Sequence, residues 1–444
     1  MGIVKLAKTC QNKMDALRSR YLSSRWLIII TAMLLIVIAG AWLSVIKITP
    51  DSDQYVLMAQ GRIGEVERPF APRVLHPFLA RVLTFGAWLS LDQSFALLAL
   101  LSLGVFVAFL LLIFPIDLPQ QPLWLFVILF SPALLNLFRS IYIHDLFYAG
   151  LLVALLVALK QHRRAWALGL LALLFLTRES TYLLAACLMV LAWRWHEREI
   201  AIGSAEIILI GLFFASLLSG MAKPSLHGLN PLLYTVSRIP INFVWNVLGV
   251  PLLANTSEAF WRETNPAVLE FCAVPAAILQ LPTWLPTGGI RTVKICGVFI
   301  ENPLNTLALM LTTFGIAPTL LLAGLRAQPF SSLWKSLPLF AQLALVYGII
   351  SFAIAPMLGN TVGRYVAYAW PLFWVLLPHL YSGNNTLAPI DIPPKIGALC
   401  HIILLAMGLL LTQWALSATW LLIIVVGAAA AHFFVYRATV ASSQ

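Results

Sequence analysis

The chain has 444 residues, of which 61% are hydrophobic and 10% charged, and its mean hydropathy is +0.91. Soluble globular proteins carry roughly 45–50% apolar and about 25% charged residues, so this composition excludes a water-soluble enzyme, a disordered chain and a collagen-like fibre. The 28 basic and 17 acidic side chains leave a net charge of +11. In so apolar a chain that excess reflects helix orientation and anionic lipid headgroups rather than nucleic acid.

Apolar runs of about 15 to 24 residues predict an all-α polytopic membrane protein, because barrel strands would be short and alternating. Residues 1–25 hold Lys5, Lys8, Lys13, Arg18, Arg20 and Arg25 against one acid, Asp15, so the positive-inside rule keeps this basic N-terminus in the cytoplasm. The rest, 26–444, reads as a single transmembrane domain. The first predicted span, Trp26–Lys47, is about 33 Å long at 1.5 Å per residue. It is too long for a signal-peptide core and has no small-residue cleavage site, so it is expected to remain uncleaved.

Residues 48–92 form a predicted extracytoplasmic segment whose charged side chains include Asp51, Asp53, Arg62, Glu65, Glu67, Arg68, Arg73 and Arg81. Thr49-Pro50 marks the start of a short helix over 50–60, with Gly61 as its stop. Leu75, Phe78, Leu79, Val82 and Leu83 share one face, which predicts a helix lying on the membrane surface; a span over 76–91 is the rival reading.

Further spans are predicted at about 93–115, 121–138, 145–160, 165–177, 181–194, 200–219, 304–325, 337–356, 364–381, 397–413 and 416–436. With the first they number about twelve, which puts both termini in the cytoplasm. The short pair 165–177 and 181–194 reads as a helical hairpin tipped by Thr177-Arg178-Glu179-Ser180. A second external segment, 221–303, is rich in proline and is expected to hold interfacial helices such as 239–254. Its Cys272 and Cys296 leave a disulfide open. The five cysteines form no CxxC pair, so neither a zinc site nor a redox motif is expected.

Charges in or beside a bilayer are costly and tend to mark function. Four polar clusters project to the external side. Asp51-Ser52-Asp53-Gln54-Tyr55 places two carboxylates at a helix start, where they either cap the helix or take a proton from an acceptor group. Arg139-Ser140-Ile141-Tyr142-Ile143-His144-Asp145 is either a polar turn between helices or brings a carboxylate to the first cluster across a shared cavity. Its His144-Asp145 lacks metal-ligand spacing, so no metal is expected. Arg178-Glu179 either self-neutralises or turns its guanidinium to a phosphate. Arg364-Tyr365 places an arginine at an external helix start, where it needs a phosphate or a carboxylate partner. Glu206, inside a predicted span, is expected to be paired or to face the bundle interior. P-loop, GxSxG and HExxH motifs are absent, which argues against an ATPase, a serine hydrolase and a zincin.

Asp51 with Tyr55 four residues on, just after a first helix, resembles the acidic motif of the GT-C superfamily of integral-membrane glycosyltransferases, especially bacterial members that use polyprenyl-phosphate sugars. In that family the motif reads approximately Asp-Glu-x-x-Tyr; here Ser52 follows Asp51, and the second acid is displaced to Asp53. Pro72-Arg73-Val74-Leu75-His76-Pro77, Leu176-Thr177-Arg178-Glu179-Ser180 and Gly363-Arg364-Tyr365 resemble further segments of such proteins.

The resemblance implies sugar transfer from a polyprenyl-phosphate donor to an extracytoplasmic acceptor, without a metal or other cofactor, at the bacterial inner membrane. It implies a single-domain transferase rather than an oligosaccharyltransferase. The catalytic candidates are Asp51, Asp53 and Asp145, with Asp51 the leading base. Tyr55, Arg73, His144, Arg178, Glu179, Arg364 and Tyr365 are the candidates for substrate binding. Membrane lipids are the remaining partners expected. A polysaccharide polymerase would show functional arginines dominating over acids. A flippase would line a path with Arg178, Glu179 and Glu206 and leave Asp51 dispensable.

Overall fold

The computed structural model describes residues 51–68, 70–114, 121–138, 140–223, 239, 242–249, 301–327, 330–359, 362–381, 394–413 and 416–442, with three short strands between 252 and 295. The first predicted span, Arg139 and both Cys272 and Cys296 lie outside the described residues. Helix dominates, as the apolar runs predict.

Helices α1 (Ser52–Ala59) and α2 (Leu75–Val82) open the described chain. Both are eight residues, far too short to cross a bilayer, which fits the non-spanning reading of this segment. Helix α3 (Leu91–Ile113) starts on a capping box: Ser90 Oγ accepts from the Gln93 backbone N–H, and Gln93 Oε1 accepts from the Ser90 N–H. Helices α4 (Gln121–Leu129) and α5 (Pro132–Leu137) divide the next predicted span at Ser131, because Pro132 lacks the N–H that would continue the ladder.

Helix α6 (Asp145–Lys160) is central, and all but three of its sixteen residues are buried. It is apolar on every side, as a helix surrounded by others must be. Lys160 ends it by donating to the Ile113 carbonyl, 2.8 Å away, and so places a cation at the C-terminal end of α3. Helices α7 (Arg164–Phe175) and α8 (Thr181–Arg194) form the predicted hairpin, and α9 (Arg198–Met221) packs along it.

Strands β1 (Leu252–Ala254), β2 (Ala277–Gln280) and β3 (Thr292–Ile295) form a small antiparallel sheet in the order β1-β3-β2. Of the interfacial helix expected over 239–254, residues 239 and 242–246 are helical, and Leu252–Ala254 are instead strand β1. Helices α10 (Glu301–Thr312) and α11 (Ala317–Ala327) meet at a bend of 72°. Then come α12 (Phe330–Ser336), α13 (Leu339–Leu358) and α14 (Val362–Ala367). A π-helical turn, Pro371–Leu376, runs into α15 (Leu377–Leu380), and α16 (Pro394–Gln413) and α17 (Ala418–Ser442) close the chain.

Among the described residues, five helices are long and apolar enough to cross a membrane: α3, α9, α13, α16 and α17, with α10–α11 a sixth if the bent pair counts as one span. The expected count of about twelve is therefore not reached on length. Helices α6, α7 and α8 have 16, 12 and 14 residues, and the predicted spans 121–138, 304–325 and 364–381 are each interrupted. Helix α9 exposes Leu209, Ile210, Phe213, Phe214 and Leu217, an apolar face suited to lipid. Glu206 is exposed as well, contrary to the expectation that it is paired or faces the bundle, because α9 packs on the hairpin along one side only.

Two of the interruptions touch. The Ala133 N–H at the start of α5 donates to the Thr313 carbonyl, 2.8 Å away, where α10 breaks. Gly315 sits in that break at φ +54°, a conformation open to glycine, and a Cβ there would lie 2.1 Å from His401 Nδ1. His401 Nε2 lies 3.0 Å from the Phe130 carbonyl and His432 Nε2 2.8 Å from the Leu311 carbonyl. A carbonyl only accepts, so both histidines donate through Nε2. Backbone groups released at a helix break must be satisfied inside a bilayer, and these two side chains, from α16 and α17, do so.

Candidate functional site

All four polar clusters and Arg73 come together where the N-terminus of α6 meets α1, the α7–α8 turn and α14. The centre is Asp145, 2% exposed. Its Oδ1 accepts from Arg178 Nη1 at 2.7 Å and from Arg364 Nη2 at 2.9 Å. Arg364 Nε donates to Oδ2, and the Tyr368 hydroxyl donates to Oδ1. The Arg364 fork thus grips the carboxylate bidentately, a geometry lysine cannot reproduce. The Arg178 guanidinium also stacks 4.1 Å from the Tyr368 ring centroid.

A second pair lies alongside. Arg73 donates through Nε to Glu179 Oε2 at 2.9 Å, through Nη2 to Oε1, and through Nη1 to the Tyr55 hydroxyl at 2.9 Å. Burial alone would raise the Glu179 carboxyl, but Arg73 outweighs it and holds that group below the usual carboxylate range. Adjacent Arg178 and Glu179 therefore do not neutralise each other. Each turns to its own partner, because in the non-helical turn between α7 and α8 the two side chains leave the backbone in different directions, toward Asp145 and toward Arg73.

Asp51 stands at the rim. It precedes α1 yet makes no side-chain capping bond, so the capping expectation fails. Its Oδ2 instead lies 3.8 Å from Arg364 Nη1, and its side chain is 40% exposed. Asp53 is exposed and joins none of these contacts among the described residues, since two helical residues rotate it about 200° from Asp51. Tyr55 is fully buried, and Tyr365 is half-buried with its ring within 6.0 Å of both the Arg178 and Arg364 guanidinium carbons.

Three arginines (Arg73, Arg178, Arg364) thus meet three acids (Asp51, Asp145, Glu179). The cluster is balanced in formal charge, and Asp51 is its open carboxylate. Arg178 and Arg364 converge as the sequence predicts, but the group they share is Asp145. Tyr368 was missed from the sequence; its spacing four residues after Arg364, on the same helical face, is the signal that finds it. Among the described residues no group of three or more His, Cys, Asp or Glu side chains is placed to hold a metal ion.

His144 is fully buried, 3.9 Å from Asp145 and in edge contact with Tyr55 at 5.4 Å, and neither ring nitrogen has a hydrogen-bond partner among the described residues. Burial, then the charges of Arg73, Arg178 and Arg364, push its imidazole well below the ordinary histidine range. His76 on α2, packed between Phe95 and Phe147, is pushed down to about 3 by burial.

Both histidines are neutral in the folded state, whereas an unfolded histidine protonates near pH 6.5. Below that pH the unfolded chain binds protons that the folded chain refuses, so stability is complete above about 6.5 and declines as pH falls. For His76 the decline continues to about pH 3. Each histidine contributes a slope of up to about 1.4 kcal/mol per pH unit. Melting of the solubilised protein at stepped pH measures it, and His76→Phe should flatten the curve. A wild-type profile flat from neutrality to pH 5 contradicts the assignment.

Tyr142 donates to Asp92 at 2.9 Å, and burial, reinforced by this bond, pushes the phenol up to about 12. This ties the turn before α6 to the first turn of α3 and fixes the base of the site.

Comparison of the chain with protein-family models, with curated proteins and with solved structures finds no match.

Proposed function

We propose that the chain is a membrane glycosyltransferase of the GT-C type that moves a sugar from a polyprenyl-phosphate donor to an extracytoplasmic acceptor. The observation that carries this reading is the rim pair: Asp51, a partly exposed carboxylate on a non-spanning helix, 3.8 Å from the Arg364 guanidinium. In this scheme Asp51 takes the proton of the acceptor hydroxyl or amine as that group attacks the anomeric carbon. The bond from that carbon to the phosphate oxygen breaks, and polyprenyl phosphate leaves with the electron pair. Arg364 Nη1, turned toward the rim, stabilises the leaving phosphate. A single displacement inverts the anomeric configuration.

Asp145 then serves as the anchor that aims Arg178 and Arg364, rather than as a base, because both its oxygens already accept from these partners. Asp53, solvent-facing, has no part in the step. The wider topology belongs to the same proposal: half-length and broken helices complete crossings as packed pairs, the site faces outward, both termini face the cytoplasm, and the membrane is the bacterial inner membrane.

Two features favour transfer over the rival readings. Acids match arginines one for one, whereas a polymerase was expected to be dominated by arginines. Glu206 is exposed on α9, so Arg178, Glu179 and Glu206 do not line a common interior path as a flippase would require.

The test is incubation of the purified protein with a panel of polyprenyl-phosphate sugars and membrane extracts as acceptor. Release of polyprenyl phosphate together with a glycosylated product supports the reading. Donor translocation across vesicles with no loss of sugar from the lipid would replace it with the flippase.

A further inference from the structure

A second site lies at the other end of α6. Sixteen residues rising 1.5 Å each put it roughly 24 Å from Asp145. A cavity of about 90 Å³ opens there between the α6–α7 turn, the α8–α9 turn and the start of α13. Its polar wall holds Lys160, His162, Arg163, Arg164 and Glu197, while Trp195, Ile200 and Phe340 supply an apolar wall.

Of these cations, two are committed. Lys160 caps the α3 carbonyl, and Arg164 pairs with Glu197 at 2.8 Å and Glu199 at 3.0 Å. Arg163 has no side-chain partner among the described residues, and it stands next to His162 at the mouth. Three lining cations against one lining carboxylate leave an excess of positive charge.

The backbone adds a second observation. Both turns close the same way: Arg163 N–H donates to the Ala158 carbonyl, and Glu197 N–H donates to the Ala192 carbonyl, each at 2.9 Å. This six-to-one bond is the Schellman cap, whose left-handed position usually holds glycine. Here it holds His162, at φ +55°, and His196, at φ +59°. A side chain kept where glycine would be unstrained, beside an anion-favouring cavity, points to use of that side chain. Around the same turns Trp166, Trp193 and Trp195 are exposed, and Trp side chains of this kind collect at the bilayer–water boundary.

We propose that this cavity seats the headgroup of an anionic phospholipid from the leaflet at this end of the bundle. The phosphate sits against Arg163 and His162, with Arg164 turning in part from its two glutamates. The glycerol carbons lie on Ile200 and Phe340. The mixed wall is what selects a lipid over a free anion, since inorganic phosphate gains nothing from the apolar side. The proposal rests on membrane insertion alone and is independent of the transferase reading.

Thermal unfolding of the full-length protein in a neutral detergent tests it, with added phosphatidylglycerol, phosphatidylcholine or inorganic phosphate. Phosphatidylglycerol should raise the midpoint by roughly 3–5 °C, and the other two should not. The double variant His162→Gly, Arg163→Gln should lose most of that rise. It removes backbone strain rather than adding it, so its own fold is safe. A control with Lys335→Gln and Arg437→Gln, basic residues outside the cavity, should keep the rise. An equal rise in the double variant overturns the site, and so does an equal loss in the control, which would show diffuse surface charge. Inorganic phosphate matching the lipid overturns the lipid assignment in favour of a free-anion site.

Discussion

Replacing Asp145 with alanine is expected to lower stability by about 3–5 kcal/mol, the cost of breaking a buried ion pair by removing one partner. The expectation follows from what the carboxylate holds. Removing it strands Arg178 Nη1, two nitrogens of Arg364 and the Tyr368 hydroxyl at once, in a site where Asp145 itself is only 2% exposed. Asp145→Asn should lose nearly as much, because the amide keeps one oxygen but turns two N–H donors toward guanidinium groups. The measurement is denaturation of the solubilised protein, with the cycle Asp145→Ala, Arg178→Met and the double variant to isolate the pairwise part. Additive effects in that cycle would mean the arginines do not depend on this carboxylate.

Asp51→Asn is expected to do the opposite: turnover falls roughly 10²-fold or more, in line with loss of a general base, while the melting point barely moves. The side chain is 40% exposed, caps nothing, and meets Arg364 only at 3.8 Å, so little folding energy rests on it. Asp53→Asn, one turn-step away and exposed, is the matched control and should keep near-normal turnover. Normal turnover in Asp51→Asn would remove this residue from the chemistry. A fall shared equally by Asp53→Asn would point instead to a general effect of charge at the rim.

The polar residues that gather at the site were legible because charge is scarce in this chain. With 10% charged residues, an acid or arginine beside an apolar run stands out, and Asp51, Arg73, Asp145, Arg178, Glu179 and Arg364 were each visible for that reason. Their pairing was not. Arg178 next to Glu179 suggested a local pair, whereas the partners turned out to be 33 and 106 positions away in sequence, at Asp145 and Arg73. Sequence spacing fixes which way a side chain leaves its helix, but not which helix stands opposite.

The helices themselves divide along the same line. The continuous run Leu91–Ile113 lies within two residues of its predicted bounds at either end, since hydropathy and a cap define it, whereas Ala418–Ser442 runs six residues past the predicted end at 436. The interruptions at Ser131 and Gly315 were passed over, because an apolar stretch with one Pro or Gly scores as well as an unbroken one. The exposure of Glu206 escaped for a related reason: helix α9 is apolar on all sides, and its sequence does not say which face meets the hairpin.

The two histidines that close these interruptions carry a consequence for the order in which the molecule is made. His401 and His432 belong to α16 and α17, yet the carbonyls they satisfy, at Phe130 and Leu311, belong to segments synthesised about 270 and 120 residues earlier. Until the C-terminal pair arrives, those carbonyls have no partner from it, and exposing them to hydrocarbon is costly. The early half of the bundle must wait in water, against the insertion machinery or in a looser arrangement, and it locks only once α16 and α17 have been made. Quality control therefore has a simple readout built into the chain: a product truncated before residue 401 leaves both breaks open and should be recognised as unfinished.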